Sequence, residues 1–406
     1  MHKNKKAALG FIFITLLLDV TGLGIIIPVL PTLISELIQG NLSQAASYGG
    51  WLTFSYAFMQ FICAPLIGNL SDKYGRRPVL LLSLLGFGID YLFLAFAPSI
   101  GWLFVGRIIA GITGASFTTA SAYIADVSTA ENRAQNFGLI GAAFGLGFIL
   151  GPVIGGLLGQ FGSRIPFFAA AGISLLNTLY GYFVLPESLP INARREFDIK
   201  RANPLGSLFA LKKYPAVSGL IVTLILIYTA NNGLQSIWSY YGMEKFSWNE
   251  AWVGYSLGFI GLMVGIVQAG ITRWAIPKFG QEKSLYIGLC LYSLGLLLFA
   301  FAPNGIFMFI FIVPYSLGGI ANPALQSIIS SYATSSEQGE LQGALTSLMS
   351  ATTIFAPPLM TSIFSYFTDK NAPLIFPGAP FLLCSVLVLV SVLLANRSLT
   401  LHHVKK

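Results

Sequence analysis

Charged residues are scarce in this chain. Asp, Glu, Lys and Arg make up 9% of its 406 residues, whereas 55% of the residues are hydrophobic. Soluble domains carry about 25% charged residues, so this composition excludes a protein that covers its whole surface with charge in water. The three cysteines are isolated within apolar stretches, which predicts neither a disulfide framework nor a metal site.

Groups that perform catalysis are also few. The histidines, His2, His402 and His403, lie at the ends of the chain, and no segment follows the phosphate-binding P-loop pattern. We therefore expect that the chain is not an enzyme, that it does not use ATP, and that it needs no cofactor or metal.

Long apolar runs fill most of the sequence. A segment of about 20 apolar residues spans a bilayer as a helix, and connections between the runs are short. The pattern predicts an all-α membrane protein with twelve transmembrane helices, called spans 1 to 12. They are expected near residues 8–34, 47–69, 78–97, 100–125, 135–159, 165–185, 215–241, 251–276, 284–302, 305–332, 342–367 and 376–395.

The net charge of +8 reflects membrane topology rather than nucleic-acid binding. If the N-terminus is cytoplasmic, the external loops hold only three bases, Arg164, Lys245 and Lys370, and Arg107 lies within span 4. The other Lys and Arg residues fall on the cytoplasmic side, as the positive-inside rule requires. We expect a multi-pass protein of the inner or plasma membrane with both termini in the cytoplasm.

The two halves of the chain repeat one pattern. Gly280 follows Gly75 by 205 residues, and at the same offset residues 94–98 (LAFAP in the sequence LFLAFAP) match residues 299–303 (FAFAP). A duplicated six-helix unit explains matches in register over such a distance. The predicted domains are a six-helix bundle at 1–186, a charged cytoplasmic linker at 187–214 and a second bundle at 215–406. Since the halves complete each other, we expect a monomer.

A charged turn joins spans 2 and 3. Gly75 permits a turn that a β-carbon hinders, and a carboxylate such as Asp72 accepts hydrogen bonds from arginine or from a helix N-terminus. The residues that distinguish this turn are Gly68, Asp72, Gly75, Arg76 and Arg77. Topology alone also favours bases at this position, but it requires neither the acid nor the glycines.

Span 5 is rich in glycine. Four-residue glycine spacings permit close helix contact, and Pro152 removes a backbone donor and bends the helix. A thin, bendable helix suits a protein that alternates between two states, although ordinary tight packing gives the same composition. The candidate residues are Gly151, Pro152, Gly155 and Gly156.

Three charges lie deep within spans of the first half: Asp19, Asp90 and Arg107. A charge near the bilayer centre costs at least about 2.5 kcal/mol unless it is paired or hydrated, so such residues usually serve a function. A buried carboxyl group that exchanges a proton is what a proton-coupled carrier needs. The alternative is a structural salt bridge within the first half.

These motifs resemble a known family. The turn GNLSDKYGRRPV is similar to the loop 2–3 signature of the major facilitator superfamily, and GLGFILGPVIGG resembles the antiporter motif of its drug/proton exporters. The segments around Asp19 and Asp90, with GRIIAGITGAS, closely resemble tetracycline/proton antiporters. The resemblance implies two pseudo-symmetric six-helix bundles, a cytoplasmic latch at the charged turn, and a proton site at Asp19 and Asp90 with Arg107 as its partner.

The second half departs from that family. Where such antiporters carry an acid in span 9 and, in several members, a histidine in span 8, this chain has Tyr292 and Val264. Proton coupling is therefore expected to rest on the first half, and these departures weaken the assignment of tetracycline itself as the substrate. Neutral polar groups form the candidate substrate-binding set: Asn231, Asn232, Gln235, Gln268, Tyr292, Asn322 and Gln326.

The sequence thus predicts a proton-coupled exporter, driven by the proton gradient, for lipophilic neutral or cationic small molecules, including drugs. Two alternatives remain open. One is an importer or symporter of a small metabolite, against which the span 5 motif argues. The other is a non-transporting sensor built on the same fold.

Overall fold

The computed structural model describes residues 2–114, 116–129, 132–197, 218–332 and 338–403. In these residues there is no β-strand, and twelve helical segments are long and apolar enough to cross a membrane. A helix satisfies its backbone hydrogen bonds within one segment, which the bilayer interior demands. The prediction of an all-α protein with twelve spans is confirmed. Residues 198–214 of the predicted linker lie outside the described residues.

The spans keep their predicted order. In the first half their helices are His2–Ile26 (span 1), Leu42–Tyr74 (span 2), Arg76–Phe96 (span 3), Ile100–Thr113 with Ser116–Val127 (span 4), Arg133–Gly159 (span 5) and Ile165–Val184 (span 6). In the second half they are Ser218–Phe246 (span 7), Glu250–Ile266 continued by Val267–Ile271 and Thr272–Phe279 (span 8), Gln281–Ala300 (span 9), Gly305–Leu317 with Gly318–Ile320 and Ala321–Ser330 (span 10), Gln338–Thr368 (span 11) and Ala379–His403 (span 12).

Span 1 ends earlier than the apolar run predicts. Its helix stops at Ile26, and a separate short helix occupies Leu30–Ile38. Pro28 explains the break, because a proline disfavours helical backbone at the residue before it. The apolar run was continuous across the break, so hydrophobicity alone did not reveal it.

The chain forms two compact units. One consists of Met1–Gly40, Ser55–Asn203 and Asn249–Gly261, and the other of Asn41–Phe54, Pro204–Trp248 and Leu262–Lys406. The first turns of spans 2 and 8 therefore group with the opposite sequence half. The domain boundaries at 186 and 215 stay a prediction.

Two bases outside the apolar cores cap equivalent helix ends. Arg164 donates to the carbonyl oxygens of Ala95 and Ala97, both at 2.8 Å, at the end of span 3. Lys245 donates to the carbonyl oxygen of Ala300 at 3.3 Å, at the end of span 9. A cation at a helix C-terminus interacts favourably with the helix dipole. Two of the three bases predicted to be external thus have a structural role in helix capping.

Candidate functional site

Asp90 and Arg107 form an ion pair inside the first unit. Nη2 of Arg107 donates to Oδ2 of Asp90, and the two residues are 8% and 0% exposed, respectively. The pair joins span 3 to span 4. A β-carbon at Gly106 would lie 2.7 Å from Oδ1 of Asp90, so a glycine is needed where the two helices approach. Two of the three predicted charges are therefore partners of each other.

Asp19 lies apart from that ion pair. Its Oδ2 accepts a hydrogen bond of 2.6 Å from the hydroxyl of Ser116, and the residue is buried. Ser116 is the first residue of the second helix of span 4. The positive end of that helix dipole favours a carboxylate nearby. Burial favours the neutral form of the Asp19 carboxyl group, whereas the Ser116 hydroxyl and the helix N-terminus stabilise its ionised form.

The break in span 4 is held by a glutamine. Gln60, from span 2, donates to the carbonyl oxygen of Gly114 at 2.8 Å and to the hydroxyl of Tyr56 at 3.0 Å. Broken helices at membrane depth occur where the backbone lines a site or is satisfied by other groups. The break places Ser116 beside Asp19, and the Arg107 guanidinium lies 5.8 Å from the centre of the Tyr56 ring.

Sequence reasoning missed Tyr56, Gln60, Tyr91 and Ser116. The ring hydroxyl of Tyr91 touches span 1 near Gly22, where a β-carbon would lie 3.4 Å from it. A signal was present in the sequence: the amide of Gln60 within an apolar run, and the small residues of GITGAS ahead of Ser116.

The turn between spans 2 and 3 is a network of charges. Arg76 binds Asp72 through Nη1 at 2.5 Å and Asp126, at the end of span 4, through Nε at 3.1 Å. Arg77 donates to the carbonyl oxygen of Tyr182 at 2.5 Å. The arginines therefore connect the turn to spans 4 and 6, and Asp126 is a partner that the sequence analysis did not identify.

Glu187 caps the start of span 3. Its two carboxylate oxygens accept hydrogen bonds from the backbone N–H groups of Arg76 at 2.8 Å and Arg77 at 3.2 Å. These are donors that a helix cannot satisfy internally. Gly75 has φ 106°, and a β-carbon there would overlap Oε2 of Glu187. Position 75 therefore requires glycine for two reasons. The positive φ disfavours other residues, and a β-carbon would clash with the carboxylate of Glu187 that caps the helix. Gly68, by contrast, has no heavy atom within 4 Å of a β-carbon built on it.

The glycines of span 5 pack on span 1. A β-carbon at Gly151 would lie 2.7 Å from the Cα of Gly24, and one at Gly155 would overlap the carbonyl oxygen of Ile25. Pro152 is part of the same contact, since its Cδ lies 2.8 Å from a β-carbon built on Gly24.

A second face of span 5 packs on the first turns of span 8. A β-carbon at Gly156 would overlap the carbonyl oxygen of Glu250, and one at Gly254 would overlap the carbonyl oxygen of Pro152. Oε1 of Glu250 also accepts a hydrogen bond of 2.6 Å from Thr32. Within the first unit, span 5 is therefore in close backbone contact with two other helices.

The neutral polar residues of the second half form separate pairs. Gln326 donates to the hydroxyl of Tyr228 at 3.2 Å and to Asn322 at 3.3 Å. Asn232 donates to Thr352 of span 11 at 3.1 Å, and Gln235 donates to Asn231 at 3.0 Å.

Tyr292 and Gln268 occupy different surroundings. Tyr292 is buried, and its ring centre lies 5.3 Å from that of Tyr315. Gln268 is exposed and donates to the carbonyl oxygen of Gly319, at the irregular turn of span 10, at 3.2 Å. The predicted residues thus have different hydrogen-bond and ring partners within the second unit.

The sequence model of the Major Facilitator Superfamily matches residues 12–313 and 271–404. The chain belongs to the Major Facilitator Superfamily. Among its relatives, the class C tetracycline resistance protein of Escherichia coli is 39% identical over 379 residues, which cover 93% of this chain and 95% of the relative. The class B protein of Escherichia coli is 36% identical over 371 residues, 90% of each chain. The resemblance inferred from the motifs is confirmed.

A solved structure of the superfamily shares the fold. The human organic anion transporter MFSD10 (TETRAN) superposes with a TM-score of 0.70 at 23% identity, over 96% of this chain and 99% of that one. Within the superfamily fold, the described residues place the buried charges on spans 1, 3 and 4 and the neutral amides on spans 7, 8 and 10. The relatives and the fold are those of transporters rather than enzymes.

Proposed function

We propose that this chain is a proton-coupled exporter of small amphipathic compounds that works by alternating access. The observation that carries the proposal is the set of buried charges Asp19, Asp90 and Arg107, on a chain that is 39% identical to a tetracycline resistance protein over nearly its full length. Buried charges in membrane spans are costly and usually serve transport.

Asp19 is the proposed proton-binding group, and the Asp90–Arg107 pair holds the neighbouring spans. In the ionised state, the Asp19 carboxylate keeps the hydrogen bond from Ser116. In the protonated state its charge is removed, and the affinity for a cationic or hydrogen-bonding substrate changes. Competition between a proton and a substrate for one acidic group couples the two flows without a cofactor.

The second half provides uncharged hydrogen-bonding groups that recognise the substrate. Asn322, Gln326 and Tyr228 present amide and hydroxyl groups, and none of them is charged. Such groups suit a lipophilic neutral or cationic compound rather than an anion. Asn231, Asn232, Gln235, Gln268 and Tyr292 complete the proposed set.

Two structural elements support conformational switching. The turn at Asp72, Gly75 and Arg76 ties spans 2, 3, 4 and 6 together through Asp126 and Glu187. The glycine faces of span 5 permit tight contacts with spans 1 and 8. We place the turn on the cytoplasmic side of the inner or plasma membrane, with both termini, and we propose that a monomer performs transport.

The test uses inverted membrane vesicles that contain a pH-sensitive dye. After the membrane is energised, tetracycline, cationic dyes and fluoroquinolones are added in turn. Substrate-driven proton movement in wild type that is lost in folded Asp19→Asn supports the proposal. No response to any compound from folded wild-type protein contradicts export of these classes, and substrate uptake into intact cells then examines the importer alternative.

A further inference from the structure

Among the described residues of the first unit, six side chains that are at most 7% exposed carry a polar atom without a hydrogen-bond partner. One of them is Asp90, whose other carboxylate oxygen binds Arg107. The other five atoms belong to spans 1, 3, 4 and 6. They are Oγ1 of Thr15, Oδ1 of Asp19, the hydroxyl of Tyr91, Oγ1 of Thr119 and Oδ1 of Asn177. We call this set the polar stripe.

One face of span 1 organises the polar stripe. Thr15, Asp19 and Gly22 are spaced at i, i+4 and i+7, so they lie on one side of the helix over about 10 Å. The Tyr91 hydroxyl approaches this face at Gly22. At the other end, the amide nitrogen of Asn177 donates to the carbonyl oxygen of Thr15 at 3.0 Å.

Span 4 provides the opposite wall. Ser116 binds Asp19, and Thr119 follows one turn later on the same helix face. The helices run antiparallel, because Ile12 and Leu16 pack in one apolar cluster with Ala120 and Tyr123. Because Ser116 is level with Asp19, Thr119, one turn further along span 4, is level with Thr15, one turn earlier in span 1.

Unpaired atoms in this number are not tolerated in a dry interior. Each buried donor or acceptor left unsatisfied costs about 1–3 kcal/mol, and buried polar groups are nearly always paired with protein or with ordered water. Buried water typically makes two to four hydrogen bonds to such groups. We propose that the polar stripe holds a chain of water molecules that relays the proton of Asp19.

The transfer is a simple proton exchange. The O–H bond of the Asp19 carboxylic acid breaks, the proton passes to a water oxygen, and the carboxylate that remains keeps the Ser116 hydrogen bond. Tyr56 and Tyr91 interact electrostatically with this acid, and Tyr56 also interacts with Arg107 of the ion pair. This inference rests on the proposed function, because it assigns a route to the proton that Asp19 exchanges.

The relay is closed toward the N-terminal end of span 1. Phe11, Ile12 and Tyr123 are buried there in the apolar cluster, and the Tyr123 hydroxyl is already bound to the carbonyl oxygen of Pro186 at 3.0 Å. A proton carrier must not leak, so this apolar end prevents a continuous pore, and the proton received at Thr15 and Thr119 leaves only when transport opens this end.

Radiolytic footprinting tests for the water without any transport. Hydroxyl radicals formed from bound water label side chains that touch it. Tyr91 and Tyr123 are 1% and 0% exposed, respectively, so accessibility does not distinguish them. We expect Tyr91 to be labelled about tenfold faster than Tyr123, because only its hydroxyl needs a water partner. Equal labelling of the two tyrosines overturns the proposal.

Substitution tests the relay. Thr15→Val and Thr119→Val remove the hydroxyls while preserving shape, and we expect each to slow proton-linked transport about tenfold with an unchanged substrate Kd. The matched control is Thr21→Val, because that hydroxyl already donates to the carbonyl oxygen of Leu17 at 2.6 Å. Unchanged rates in both test variants contradict the relay. Absence of substrate-driven proton movement in wild type would refute the proposed function instead, and the footprinting result would still stand.

Discussion

The two glycine turns of the duplicated halves have the same backbone and different chemistry. Gly75 and Gly280 have φ 106° and 81°, with ψ 161° and 165°. Around Gly75, Arg76 binds two aspartates and Glu187 caps the following helix. Around Gly280, no heavy atom lies within 4 Å of a built β-carbon. At the repeat offset, Gln281 replaces Arg76 and Pro277 replaces Asp72.

The helix breaks of spans 4 and 10 likewise combine a shared backbone with different side-chain chemistry. A glutamine of the equivalent span donates to the glycine carbonyl at each break: Gln60 to Gly114 and Gln268 to Gly319. The repeat offset, however, aligns Asp90 with Gly295 and Arg107 with Ile312. A β-carbon at Gly295 would lie 2.6 Å from the Cα of Tyr315, so tight packing stands where the first half has an ion pair. Duplication preserved the backbone, whereas the buried charges among the described residues, Asp19, Asp90 and Arg107, all lie in the first half.

Replacement of Asp90, whose ion pair has no counterpart in the second half, should have the largest effect on transport. Loss of one partner from a buried ion pair costs about 3–5 kcal/mol, so we expect Asp90→Asn to reduce proton-linked transport at least about 100-fold. Dye-monitored vesicle assays, normalised to total protein, measure this effect. The double variant Asp90→Asn with Arg107→Gln is the control: because it leaves no unpaired charge, it should recover thermal stability and part of the transport. Near-normal antiport in Asp90→Asn contradicts a role for the pair.

The two glycine turns give a matched pair of variants. Alanine at either position meets an unfavourable backbone conformation, which costs about 1–3 kcal/mol. Only at Gly75 does the new methyl group also displace Glu187, so a helix cap worth about 1 kcal/mol is lost in addition. We therefore expect Gly75→Ala to impair transport more than Gly280→Ala by about a factor of five to ten. The substrate efflux rates of cells that contain equal amounts of the two variants measure this difference. Equal defects would mean that the Glu187 cap has no role.

Variants in the second half should change recognition without changing coupling. Asn322→Ala and Gln326→Ala each remove one hydrogen-bonding group, worth about 0.5–1.5 kcal/mol, so we expect substrate KM to rise about threefold to tenfold. The number of protons moved per substrate should stay the same. Parallel measurement of substrate and proton fluxes in proteoliposomes provides both values. A changed stoichiometry would show that the second half takes part in coupling.

Tyr292→Phe should have the smallest effect. Its ring is buried, and its centre lies 5.3 Å from that of Tyr315. Loss of one buried hydroxyl changes stability by about 1 kcal/mol, which a thermal unfolding measurement detects as a small change in Tm. Proton coupling should be unaffected. If Tyr292→Phe abolishes coupling instead, the second half holds an ionisable function that its neutral composition conceals.

The fold was accessible from sequence because lipid imposes one dominant requirement. Apolar runs long enough to span a bilayer must be helices, and the offset between Gly75 and Gly280 revealed the repeat. The breaks inside spans were not predicted, because the runs containing Pro28, Gly114 and Gly319 are long enough to span a bilayer without a break. Where a helix breaks depends on partners such as Gln60, which lies far from Gly114 in sequence.

Part of the candidate site was also predictable from the sequence, because the bilayer makes charge within a span costly. Asp19, Asp90 and Arg107 stand out because charge in a span is costly, and the structure pairs two of them. Their neighbours Ser116 and Tyr91 are ordinary residues of membrane helices, and only tertiary packing brings them to Asp19. Glu187 appeared to be part of a solvated linker, yet its side chain caps the start of span 3.

The central claim is that the transported proton binds in the first half. Proton release on substrate binding tests it most directly, with purified protein in weakly buffered solution and a pH indicator. The account predicts that wild type and Asn322→Ala release protons when substrate binds, whereas Asp19→Asn binds substrate without release. Proton release from Asp19→Asn equal to that of wild type would contradict the account.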